Sequence, residues 1–76
     1  GVKQIEIIKF PDEKGEIKLS LSSDKLIYIE SADNYVEINY VSQDQINKFM
    51  LRNSMKKMEE ILSKTNVCRC HRSILI

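Results

Sequence analysis

Ile27-Tyr28-Ile29-Glu30-Ser31-Ala32-Asp33-Asn34-Tyr35-Val36-Glu37-Ile38-Asn39-Tyr40-Val41 is the stretch that decides the fold. Residues 27–30 are short and mostly apolar, as in a strand, and Ser31-Ala32-Asp33-Asn34 is the clearest loop signal in the chain. From Tyr35 the residues alternate, with Val36, Ile38 and Tyr40 on one side and Tyr35, Glu37 and Asn39 on the other. Strand side chains repeat every second residue, so this pattern predicts a strand buried on one face. Residues 42–45 form a polar turn, and residues 45–51 are the returning strand of a hairpin.

Working outward toward the N-terminus, residues 4–10 read as a strand rich in β-branched Ile5, Ile7 and Ile8, stopped at Pro11. Asp12-Glu13-Lys14-Gly15 is a turn in which Gly15 supplies a positive φ. Ile17, Leu19 and Leu21 alternate with Lys18, Ser20 and Ser22, which predicts another half-buried strand. Ser22-Ser23-Asp24 is polar punctuation able to cap one helical turn at Lys25-Leu26. Toward the C-terminus, Asn53 or Ser54 can cap a helix, and Met55, Met58, Ile61 and Leu62 recur at helical spacing as its core stripe. The helix runs from Ser54 to Ser63, with Lys56, Lys57, Glu59 and Glu60 toward solvent. Residues 67–70 form a further short strand, and residues 74–76 begin another. The expected fold is mainly β, with about six or seven short strands and one short helix.

The chain has 76 residues, enough for one domain, of which 42% are hydrophobic and 30% charged. That composition is globular and excludes collagen-like repeats. No apolar run approaches the roughly 20 residues that span a bilayer, and no secretory signal is visible. The first residue is Gly1 with no Met, as in an excised piece of a larger protein or a tag remnant. Cys68 and Cys70 are too few and too close for a disulfide framework, so the expectation is reduced thiols in the cytoplasm. Charge is split unevenly. Residues 1–40 hold five Lys/Arg and eight Asp/Glu, whereas residues 41–76 hold seven and three. A polyanion would therefore be met by the second half.

No enzyme site emerges. His71 is the sole histidine, and Gly1 and Gly15 are the sole glycines, so neither a catalytic triad nor a glycine-rich phosphate loop is spelled out. Cys70 and His71 are adjacent, and neighbours on a strand point to opposite faces. Cys68, Cys70 and His71 lack the second ligand pair that zinc requires, and no other cofactor motif is present. Arg69 and Arg72 beside Cys70 leave a thiol sensor as one reading of that segment. The better one is polyanion contact: Arg69 and Arg72 can each bond phosphate or the guanine edge, and His71 and Ser73 add donors. The competing reading is two solvated arginines near a strand end. Asn34 can pair with adenine and Tyr35 can stack or touch phosphate, or they are a plain loop residue and a core ring.

Three separated stretches coincide with one family. Residues 27–38 resemble "I-x-Y-I-E-A-x-x-N-Y-V-x-I", residues 51–62 resemble "hR-x-S-L-K-x-L-E-x-x-L", and residues 69–76 resemble "R-x-H-R-S-Y-L-V". In that order they resemble the LytTR DNA-binding domain of bacterial response regulators, over about residues 17–76. The resemblance implies an elongated arrangement of small antiparallel sheets, the output domain of a transcription regulator fused to a receiver domain. It implies binding to direct repeats in promoters by loops inserted into successive major grooves. Carried onto this chain, the first loop is residues 31–35, with Asn34 and Tyr35. The second is His71-Arg72-Ser73, with Arg72 on a base edge, His71 and Ser73 on the backbone, and Arg69 beside them.

Three departures accompany the resemblance. Val67 stands where the family more often has Phe, and Ile74 where it has Tyr. The chain also ends at Ile76, where the family continues into further strands and a third loop. The expectation is a single domain lacking its last strands, whose edge a second copy would cover in a homodimer. The rival class is a protein–protein interaction or dimerisation module that is indifferent to DNA.

Overall fold

The computed structural model describes residues 6–65. Among these residues five strands fall in two antiparallel sheets: β1 (Ile7–Pro11) pairs with β2 (Ile17–Ser22), and β4 (Tyr35–Ser42) lies between β3 (Leu26–Ala32) and β5 (Gln45–Leu51). One helix, α1 (Met55–Ser63), follows β5. The mainly β architecture, with one α-helix among the described residues, is the one the periodicities predict. The strands expected near residues 67–70 and 74–76 lie outside the described residues. No helix among those described is long and apolar enough to cross a membrane.

Alternation sets the core. Ile8 and Phe10 of β1, Leu21 of β2, Ile29 of β3, Val36 and Ile38 of β4 and Leu51 of β5 are buried together with Met58 and Leu62 of α1. Ile29 and Ile38 are cross-strand partners, and Phe49 follows opposite Ile38. Each such side chain removed from water contributes about 1.5–3 kcal/mol. Met55 and Ile61 pack on the edge of this cluster, so the helical stripe is core as its spacing predicts.

Local chemistry explains the connections. Asp12 accepts the amides of Lys14 (2.9 Å) and Glu16 (3.0 Å), and Gly15 takes φ 91°. The amide of Glu16 holds the Asp12 carboxyl below its ordinary range, with further lowering from the Lys14 amide and the Lys18 charge against some opposing desolvation. Gln43 and Asp44 both have positive φ (54° and 62°) between the paired Ser42 and Gln45, the backbone of a type I′ hairpin turn. Ser54 caps α1 by accepting the Lys57 amide at 3.2 Å.

Several boundaries depart from the periodicity. β1 runs through Pro11, where the register shifts, because a ring nitrogen without a proton is tolerated at a strand end. Ile17 is 47% exposed although it alternates with Leu19 and Leu21, since it sits at the β1–β2 turn beyond the core. The short helical turn is a 3-10 turn at Ser23–Lys25, one step before Leu26. Its Ser22 makes no capping bond; the Ser23 hydroxyl instead accepts the Glu6 amide at 3.3 Å. β3 begins at Leu26, and Ile27 is an extra residue between the Leu26–Tyr40 and Tyr28–Asn39 pairs. Asn39 points to the face opposite Ile38, as expected, yet is only 1% exposed.

Candidate nucleic-acid interface

β3 extends through Ala32, which pairs with Tyr35, so the expected four-residue loop narrows to a tip of Asp33 and Asn34. Asp33 carries φ 59°, a left-handed conformation that Asp tolerates better than most side chains. A connection this short projects its side chains beyond the sheet, and Asn34 is exposed there. Tyr35, the first residue of β4, is 38% exposed and does not fill the core.

Arg52 completes this end of the sheet. Val36 pairs with Leu51, which places Arg52 opposite Tyr35 just beyond the ladder. Its guanidinium carbon lies 5.8 Å from the centre of the Tyr35 ring, within cation–π range. Its Nε donates to Glu13 Oε1 at 2.9 Å, while the Glu13 amide donates to the Arg52 carbonyl at 2.9 Å. Asn53 Nδ2 donates to the Pro11 carbonyl at 2.8 Å, and Asn53 Oδ1 accepts the Ser54 amide at 2.8 Å. The β1–β2 turn is thus bonded to the segment joining β5 and α1.

Glu13, Asp33, Asn34, Arg52, Asn53 and Ser54 line an open cleft of about 420 Å³ between these elements. Its walls offer amide, hydroxyl, carboxylate and guanidinium groups, the repertoire that reads base edges. Two carboxylates against one guanidinium make it a poor seat for a phosphate. Cations free of ion pairs among the described residues stand elsewhere, notably exposed Lys56 in the first turn of α1 and exposed Lys48 on β5. Lys57 is instead 3.6 Å from Glu60.

Asn34 and Tyr35 are therefore brought together at one exposed end. Arg69, His71, Arg72 and Ser73 lie outside the described residues, as do Cys68 and Cys70. Arg52 had no assigned role from sequence reasoning beyond its place in the residue 51–62 pattern. Its signal was present: pairing Ser42 with Gln45 and counting back along the hairpin sets residue 52 opposite residue 35.

The family model described as LytTr DNA-binding domain matches residues 16–76. No curated protein and no solved structure gives a significant match. The match covers most of the sequence, including the exposed hairpin tip and the whole three-stranded sheet. The chain belongs to the LytTR DNA-binding domain family.

Proposed function

We propose that this domain binds double-stranded DNA sequence-specifically as the output module of a bacterial two-component transcription regulator, acting in the cytoplasm. The observation that carries the proposal is Asn34, exposed on a two-residue tip at the end of a three-stranded sheet within a DNA-binding family domain. An amide at such a tip can reach the adenine N6/N7 edge in a major groove, with Tyr35 beside it against a base or phosphate. Arg72 takes a second base edge, Arg69, His71 and Ser73 hold backbone, and lysines supply salt-dependent affinity. Direct repeats in promoters, a fused receiver domain and a homodimer complete the reading; residues 1–76 act as one domain.

Binding-site selection followed by titration of Asn34→Ala and Arg72→Ala tests it. Each variant should lose about 1–3 kcal/mol on the selected site and relax one base position. A chain that ignores every duplex at low ionic strength, or variants equally weakened on selected and random DNA, would overturn the assignment.

A further inference from the structure

We propose that Arg52 is a positioning residue for recognition: it bridges Glu13 of the β1–β2 turn to the Tyr35 ring and so fixes the Asp33–Asn34 tip. The proposal rests on the DNA-binding reading and adds a residue that acts through others. Tip and base must meet within a fraction of an ångström, and a hairpin end held only by its own turn is free to swing. Here the tip is followed directly by Tyr35, whose ring lies under the Arg52 guanidinium. The guanidinium is in turn held by Glu13, and Glu13 is anchored by its own amide on the Arg52 carbonyl. The carbonyl bond fixes where the Arg52 backbone lies, and the carboxylate fixes which way its side chain points.

The charge balance favours positioning over direct phosphate contact. Arg52 already faces one carboxylate, and Asp33 lines the same cleft. An incoming phosphate would have to displace Glu13 and accept repulsion from Asp33. Arg52 thus has its charge spent within the protein, where its effect on DNA passes through Tyr35 and Asn34.

The test has two arms. In the free chain, the backbone order parameter at Asp33 and Asn34 should fall from about 0.85 toward about 0.6 in Arg52→Gln, measured by 15N relaxation. Arg52→Lys keeps a cation at the ring and should retain most of that order. On DNA, Arg52→Gln should weaken the selected site by about three- to tenfold while leaving random-sequence affinity and the salt slope unchanged. Tyr35→Leu combined with Arg52→Gln should cost no more than the larger single change, because both break one bridge.

An unchanged tip in Arg52→Gln overturns the proposal whether or not DNA is bound. A salt slope reduced by about 0.9, with selected and random DNA weakened alike, would make Arg52 a phosphate contact and also overturn it. If the unsubstituted chain binds no duplex, the functional reading falls while the relaxation arm still decides the positioning.

Discussion

Glu13 and Arg52 meet twice: the Glu13 amide donates to the Arg52 carbonyl at 2.9 Å, and Arg52 Nε donates to Glu13 Oε1 at 2.9 Å. The two residues are 39 positions apart in the chain, yet they join the β1–β2 turn to the end of β5. Main-chain and side-chain bonds of this joint contribute differently. Each side chain of the ion pair is about half exposed, so water and salt screen the attraction.

Asn53 should matter more to stability than Glu13. Its amide spans 42 residues to the Pro11 carbonyl and its oxygen accepts the next amide, in a half-buried setting. Asn53→Ala should cost about 1–2 kcal/mol through the groups left unpaired, and Glu13→Gln less than about 0.5. Urea unfolding of both variants checks the order; equal midpoints would show that Asn53 adds nothing beyond the pair.

Asn39 is a buried polar side chain within the central strand of its sheet. Its Nδ2 donates to the Glu37 carbonyl (3.4 Å) and carboxylate (3.2 Å), but its Oδ1 is buried with no hydrogen-bond partner among the described residues. A buried acceptor without a bond costs about 1–3 kcal/mol, and a β-branched side chain suits a central strand. Asn39→Val should raise the unfolding free energy by about 1 kcal/mol. A lower melting temperature for Asn39→Val would mean that the amide bonds to Glu37 outweigh the unpaired oxygen.

The β1–β2 turn should loosen in acid. The Asp12 carboxyl titrates below its ordinary 3.8 chiefly because the Glu16 amide bonds the charged form. A lowered folded value means the turn is stabilised fully above pH 3.8 and loses that stabilisation as pH falls through the lowered value. Lys18 has the opposite sign: the Glu16 side chain raises its value above 10.5, so its contribution holds below pH 10.5 and fades above it. In an NMR titration the Lys14 and Glu16 amide protons should move together with a midpoint below 3.8. A midpoint at or above 3.8 would remove the Asx turn as the cause.

The Gln43-Asp44 turn illustrates what periodicity conveys and what it leaves out. Polar residues between two alternating runs marked a turn, and the hairpin register followed from it. The positive φ at both positions was not legible, because neither residue is the Gly or Asn that usually announces a type I′ turn. Asn39 was hidden for a related reason: alternation assigns a face but does not say what covers that face. The Arg52–Tyr35 contact was a matter of counting register, whereas its link to Glu13 depends on how two separate sheets pack and has no sequence period. Replacing Gln43-Asp44 by Asn-Gly should add about 0.5–1 kcal/mol by relieving the backbone, read as a shift in thermal midpoint. No shift would show that the turn is already relaxed.

Lys56 and Lys57 allow the proposed DNA-facing end to be tested from the electrostatic side. Both sit in the first turn of α1, just after Ser54, which lines the cleft beside Asn34. Lys57 is 3.6 Å from Glu60, whereas Lys56 has no ion pair among the described residues. If DNA approaches this end, a free cation exchanges a condensed counterion for the protein's charge and a paired one does so less completely. Lys56→Ala should therefore lower affinity equally on selected and random duplexes and reduce the log–log salt slope by up to about 0.9. Lys57→Ala should change the slope by clearly less, and Glu60→Gln should increase binding slightly by freeing Lys57. Slopes unaffected by any of the three would turn the helix away from the duplex and leave the hairpin tip to act without it.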